Sequence, residues 1–313
     1  MKYAVTFAAV AAAGLMFGTA AIAQDKQQIA FVVNGASDFW KLAEAGVAKA
    51  QAEMPEYEMS LKYPEQAAAA IQQRLLDDLV AAGTDAIMVS AIDPATSTEA
   101  LNRIAGQVPL LTADSDAPQS DRLAYIGSSN TDLGRDAGKM MVEAMPDGGK
   151  CMGFVGLLGA DNARERIEGF NEATEGTNVE LVDVRGDDID MARARANVDD
   201  VLVANPEINC MVGFYSYNPP RIYEALRDAG KLGEITVVAF DEDPITLGAV
   251  REGSFYGTVV QQPFEWGYQG MKMLAATLEG NPPEEEINII PGKVITQENV
   301  DQFEADLKAA IGG

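Results

Sequence analysis

Two patterns of apolar residues alternate along the chain. Short, mostly apolar runs such as Ile29 to Val33, Ala86 to Val89 and Val108 to Thr112 match parallel strands covered on both faces. Between them lie longer stretches with apolar residues every three or four positions. One spans about Phe39 to Met54 and stops at Pro55; another opens at Pro64, carries Ile71, Leu75 and Leu79, and stops at Gly83, which predicts helices. Tyr57 to Leu61 alternates as a strand, and Asp93-Pro94 reads as an N-cap and first helical residue. The cycle restarts at Lys150. Cys151 to Val155, Val179 to Val184, Cys210 to Phe214 and Ile235 to Phe240 read as strands, with helices centred near Ile167, Ala196 and Leu226. A strand at Tyr256 to Val260, a long helix from Pro263 to Leu278 and the break Asn281-Pro282-Pro283 follow. Such alternation predicts right-handed βαβ units and parallel sheets with helices on both faces. Two sets predict an α/β protein of two doubly wound lobes, with Gly148-Gly149 and Gly127-Ser128-Ser129-Asn130 as candidate boundaries.

The start of the chain follows neither pattern. Lys2 precedes an alanine-rich apolar run from Ala4 to Ile22 that ends Ala21-Ile22-Ala23. A basic start, an apolar stretch and an Ala-x-Ala site predict a secretory signal peptide over 1–23, cleaved to release an exported protein. An uncleaved membrane anchor is the alternative, and the small residues and cleavage site favour the signal. Export permits a disulfide between Cys151 and Cys210, both at the starts of predicted strands; two buried free thiols are the other reading.

Charge and composition narrow the chemistry. The 313 residues carry 48 Asp and Glu against 23 Lys and Arg, a formal charge of −25, which argues against nucleic acid as a partner. Histidine is absent and cysteine occurs twice, which removes imidazole bases, Ser-His-Asp triads and thiolate metal cages. No cofactor, metal or catalytic residue is expected.

Doubly wound sheets bind ligands outside the carboxyl ends of their strands. The stretches there are Asn34 to Trp40, Ala91 to Pro94, Ala113 to Pro118, Leu157 to Arg166, Tyr215 to Pro220, Asp241 to Pro244 and Gln261 to Pro263. Their Asp, Asn, Gln, Arg and aromatic residues suit a neutral polyhydroxy molecule: carboxylates and amides bond hydroxyls, Arg donates in a fork, and aromatic faces cover C–H surfaces.

Several of these stretches carry a family pattern in order. Phe31-Val32-Val33 with Ser37-Asp38-Phe39-Trp40, Tyr125-Ile126-Gly127-Ser128-Ser129-Asn130 with Gly134, and Ala163-Arg164-Glu165-Arg166 with Glu168-Gly169-Phe170 come first. Val237-Val238-Ala239-Phe240-Asp241 and Val259-Val260-Gln261-Gln262-Pro263 come next. Together they resemble the periplasmic sugar-binding proteins of the ribose/galactose type, the type I receptors of ABC importers, over essentially the whole exported chain. The resemblance implies two lobes joined by a three-strand hinge: 24–128 plus 262–290, and 129–261 plus 291–313. It implies a periplasmic monomer that closes on a monosaccharide or polyol and delivers it to an inner-membrane permease. Carried over by position, Phe39 and Trp40 stack on the sugar ring, and Asp114, Arg166, Asn218, Asp241 and Gln261 bond hydroxyls, with Ser37, Ser115 and Tyr215 beside them. Tyr215-Ser216-Tyr217-Asn218 is longer than the family's segment, which leaves Tyr215 or Tyr217 as alternatives to Asn218.

Three positions depart from the pattern. Asp114 is followed by Ser115-Asp116 instead of Arg, Ser37 stands where Asn or Asp is usual, and Ile189 stands where an aromatic often closes the pocket. Losing a fork donor changes which hydroxyls are recognised. Two rival functions remain. A receptor feeding a chemoreceptor or sensor kinase with a sugar or autoinducer would share the pocket, and a secreted carbohydrate enzyme could use Asp114 and Asp241 as acid and base.

Overall fold

The computed structural model describes residues 1–3 and 26–310; the predicted signal segment beyond its first three residues lies outside the described residues. The strands are β1 (Gln27–Val32), β2 (Tyr57–Lys62), β3 (Ala86–Val89), β4 (Leu110–Ala113), β5 (Ala124–Gly127) and β6 (Gly149–Val155). They continue with β7 (Val179–Gly186), β8 (Cys210–Gly213), β9 (Thr236–Phe240), β10 (Gly257–Val260), β11 (Ile287–Ile289) and β12 (Lys293–Thr296). The helices are α1 (Trp40–Glu53), α2 (Ala69–Ala81), α3 (Pro94–Ala105), α4 (Asn130–Ala144) and α5 (Asp161–Thr174). They continue with α6 (Met191–Ala204), α7 (Asn218–Asp228), α8 (Pro244–Glu252), α9 (Pro263–Leu278) and α10 (Val300–Ala310).

The strands form two six-stranded sheets with the same spatial plan, β11-β5-β4-β3-β1-β2 and β12-β10-β9-β8-β6-β7. Every pairing is parallel except β10 with β12. Thus β4 and β9 hold equivalent places in their sheets, as do β5 and β10. The chain passes between the sheets after β5, after β10, and between β11 and β12. These crossings are tied together: Ser128 Oγ donates to the Ile290 carbonyl at 2.9 Å, Ile290 N to the Gly127 carbonyl at 2.7 Å, and Gln262 Nε2 to the Pro291 carbonyl at 2.7 Å.

Two close helix contacts repeat the symmetry. A side-chain carbon on Gly46 of α1 would fall 2.0 Å from the Phe264 carbonyl oxygen, and one on Gly267 of α9 would fall 2.2 Å from that of Ala43. In the second lobe, Gly134 of α4 and Gly169 of α5 stand against the Arg166 and Thr131 carbonyl oxygens at 2.2 and 2.0 Å. Only hydrogen fits at such places. The helix after a crossing, α9 in the first lobe and α4 in the second, therefore lies backbone to backbone on α1 and α5 respectively.

Most strands and helices fall where periodicity predicts them, and Asp93 caps α3 by accepting from Thr96 N at 3.2 Å. The predicted opening of the second helix at Pro64 is a correction: residues 63–68 are not helical and Ala68 is extended. The segment carries the chain across so that Ala69 packs on the second lobe's core. Unpredicted elements are β5, α4, β11, β12 and α10. Cys151 and Cys210 are register partners on β6 and β8, with Cα atoms 4.4 Å apart, and they form a disulfide.

Candidate functional site

Asp114 ends β4 and Asp241 ends β9, at matching places in the two sheets. Both are buried, and both have a left-handed backbone, φ 60° and 66°, a region that costs most residues energy and that Asp tolerates better. The neighbouring strand holds each one: Tyr125 OH donates to the Asp114 carbonyl at 3.1 Å, and Thr258 Oγ1 to the Asp241 carbonyl at 2.8 Å. Both carboxyl groups are thereby turned toward the space between the lobes.

Arg166 enters that space from α5 and is 2% exposed. Its Nε donates to Asn130 Oδ1 at 3.0 Å, Nη1 to the Phe214 carbonyl at 2.7 Å and Nη2 to Gln261 Oε1 at 2.7 Å. Its guanidinium lies 5.0 Å from the Phe240 ring centre and 5.7 Å from that of Tyr215, within cation–π range. Gln261 Nε2 donates onward to Asp241 Oδ1 at 3.0 Å. Burial, opposed by the charge of Arg166, raises the Asp114 carboxyl above its ordinary range and pushes that of Asp241 up to about 6.

Asp114 is reached from both lobes. From its own side, Asn34 Nδ2 donates at 3.2 Å and Ser90 Oγ at 2.8 Å. From the other lobe, Asn162 Nδ2 donates to both carboxylate oxygens at 3.1 Å. Tyr215 OH fixes Asn162 by donating to its Oδ1 at 2.8 Å. Asn34, Ser90, Asn130 and Asn162 were not among the residues singled out from sequence. Asn34 and Ser90 stand just beyond β1 and β3, and Asn162 lies in the first turn of α5, at the same end of its sheet.

The cavity at this point is lined by Ser37, Phe39, Trp40, Asp114, Arg166, Tyr215, Asp241 and Gln261 among the expected residues, with Asn34, Asn162, Ile189 and Tyr217. Trp40 and Phe39 divide their roles. Trp40 is 2% exposed, packs edge-on to Phe31 at 5.6 Å and donates from Nε1 to Asn34 Oδ1 at 3.2 Å. It thus aims Asn34 at Asp114 as well as bordering the cavity, while half-buried Phe39 borders it edge-on to Trp40 at 5.0 Å.

Two expected residues do not line the cavity. Ser115 is fully buried behind Asp114. Asn218 faces the interior of its lobe, where Nδ2 donates to Asp187 Oδ2 at 2.8 Å and Oδ1 accepts from Tyr215 N at 3.1 Å. Tyr215 and Tyr217, the alternatives to Asn218, do reach the cavity. Asp116 also turns away and clamps Arg122 through contacts of 2.6 and 2.7 Å. Arg164 is a surface residue paired with Asp161.

The cavity volume is about 30 Å³, room for a water or two. That is too small for a sugar-sized ring, and the direct contacts of Asn162 with Asp114 occupy part of the space. A chamber of about 510 Å³ shares Ser37, Phe39, Ser216, Tyr217 and Asp241 with the cavity and forms its approach. A surface groove of about 1020 Å³ between Arg164 and Leu181 lies away from both strand-end clusters. Among the described residues no group of His, Cys, Asp and Glu is placed to hold a metal, and no helix is long and apolar enough to cross a membrane.

Known proteins share this fold. Residues 29–282 match the family described as periplasmic binding protein domain. The ribose import binding protein of Salmonella typhimurium is 27% identical over 207 residues, 66% of this chain and 69% of the relative. The D-ribose/D-allose-binding protein of Pseudomonas aeruginosa is 21% identical over 272 residues, 84% of this chain and 85% of the relative. The crystal structure of an ABC transporter solute-binding protein from Burkholderia graminis in complex with D-arabinose superimposes with a TM-score of 0.82 at 26% identity, covering 88% of this chain and 97% of that one. Paired sheets, crossings and the sequence match agree, and the chain belongs to the periplasmic binding protein family.

Proposed function

We propose that this protein is a periplasmic receptor that traps one small sugar or polyol between its lobes and delivers it to an ABC permease in the inner membrane. The single observation that carries this reading is the meeting of Asp114 from one lobe with Asn162 and Arg166 from the other in a buried, hydroxyl-complementary cluster. The lobes comprise 24–128 with 262–290 and 129–261 with 291–313, and residues 1–23 are a signal peptide removed on export. Opening at the three crossings separates the lobes. A bound sugar then bridges them and favours the closed form by the contacts made only there. Its hydroxyls satisfy Asp114, Asp241, Arg166 and Gln261, and a sugar of wrong stereochemistry leaves buried groups unpaired. Phe39, Trp40 and Tyr215 flank the ring. The protein acts as a monomer and performs no chemistry on its ligand.

Relatives that bind ribose, allose and arabinose support a panel of D-ribose, D-allose, D-arabinose and myo-inositol. Thermal unfolding of residues 24–313 against this panel tests the reading. A ligand at about a hundredfold its dissociation constant adds roughly 2.7 kcal/mol to stability. A clear rise in midpoint with one sugar, recovered chemically unchanged, is expected. Turnover of a glycoside would favour an enzyme instead.

A further inference from the structure

Behind the cavity wall of the second lobe lies a carboxylate with no ion-pair partner among the described residues. Asp187 is fully buried just past β7. Its Oδ1 accepts from Tyr217 OH at 2.6 Å and Ile189 N at 2.9 Å, and its Oδ2 accepts from Asn218 Nδ2 at 2.8 Å. The charged neighbour Asp188 pairs outward with Arg193. An uncompensated buried carboxylate is costly, and those three bonds are what offset the cost here.

The next two residues are strained. Asp188 and Ile189 have φ of 55° and 59°, and a β-branched residue in that region is an outlier that surroundings must impose. Backbone bonds from Asp187 N and Asp188 N to the Gly156 carbonyl, 3.3 and 2.9 Å, anchor the turn. The turn brings Ile189 against the opposite lobe: a side-chain carbon on Gly35 would fall 2.7 Å from Ile189 Cδ1. Ile189 and Tyr217 line the cavity and Asp187 does not.

We propose that Asp187 is a positioning residue for ligand selection. By binding three donors at once, it turns the Tyr217 hydroxyl away from the ligand and holds Ile189 toward Gly35. This wall therefore offers an aromatic ring and an alkyl group, and it takes a sugar that presents a C–H face there and rejects one that presents a hydroxyl. The proposal rests on the reading of the cleft as a sugar site.

The test compares wild type, D187N, D187N/N218D and Y217F by hydrogen exchange of the Ile189 amide without ligand, and by binding and dissociation of D-ribose, D-allose and D-arabinose. In D187N an amide donor faces the Asn218 donor. Exchange at Ile189 should quicken at least tenfold, and the best-bound sugar should weaken at least tenfold through faster release. D187N/N218D swaps acceptor and donor and should recover both to within threefold. Y217F keeps the ring and removes one donor; it should speed exchange and narrow the preference among the three sugars, and it decides the matter if D187N does not fold. Unchanged exchange in D187N, or a folded D187N/N218D as impaired as the single variant, overturns the proposal. If none of the sugars binds wild type, the cleft reading fails, and the exchange pattern alone supports or overturns the role of Asp187.

Discussion

Arg166 Nη2 lies 3.6 Å from Asp114 Oδ1 across the cleft, and both side chains are buried. One belongs to α5 of the second lobe and the other to the end of β4 in the first, so their pairing exists only when the lobes are together. Arg166 also donates to Gln261, which donates to Asp241. The guanidinium therefore joins both strand-end carboxylates, one from each sheet.

Arg166→Ala removes the cation and leaves two buried carboxylates. Breaking a buried pair from one side costs about 3–5 kcal/mol, and urea unfolding should report a loss of that order. Sugar binding should fall by two orders of magnitude or more. Arg166→Lys keeps the charge but not the fork, so it should recover stability better than affinity.

Gly134→Ala places a carbon against the Arg166 carbonyl and forces α4 off α5. Overpacking of this kind costs roughly 1–3 kcal/mol, and the displaced Arg166 should weaken sugar binding as well. Gly248 of α8 has no atom near its missing side chain. Gly248→Ala should stabilise by about 0.5–1 kcal/mol from helix propensity and leave affinity unchanged.

The Cys151–Cys210 bridge closes a sequence separation of 59. Loop-closure entropy puts its contribution at about 4 kcal/mol. A C151S/C210S variant should unfold at correspondingly lower urea concentration while binding sugar within twofold of wild type, because the bridge lies within the sheet rather than at its ligand end.

Burial, offset by bonds from Tyr217, Asn218 and the Ile189 amide, pushes the Asp187 carboxyl up to about 6 from 3.8. The folded state thus holds this proton more tightly than the unfolded state. Its stabilising contribution is complete below pH 4 and is lost as pH rises through about 6. Urea titrations between pH 4 and pH 7.5 should show a steeper decline in stability for wild type than for D187N, by roughly 2.5 kcal/mol over the range.

The fold was legible because parallel strands leave apolar runs and their helices leave a 3.6-residue period. The candidate site was legible because the stretches after strand ends are where such sheets meet ligands, and that rule reaches Asp114, Arg166, Asp241 and Gln261, which line the cavity. It did not separate Asn34 and Asn162 from their neighbours, because side-chain direction within a loop depends on tertiary contacts such as Trp40 with Asn34. The same limit explains Ser115, just past β4, and Asn218, at the start of α7, which stand in the right stretches but point inward. The edge strands β11 and β12 carry too few residues for a period, and Ile287 and Ile289 are exposed, so pairing across the crossings defines them. The run Ala124-Tyr125-Ile126-Gly127 and the spacing of Leu133, Ala137, Met140 and Met141 do carry the signals for β5 and α4. Asp187 had no visible partner in sequence, since Tyr217 and Asn218 reach it only after folding.

Calorimetric titration of residues 24–313 with D-ribose, D-allose, D-arabinose and myo-inositol tests the central claim most directly. The account predicts one sugar bound per chain, with the binding abolished in Arg166→Ala. Absence of binding for the whole panel, or binding that Arg166→Ala leaves intact, would contradict it.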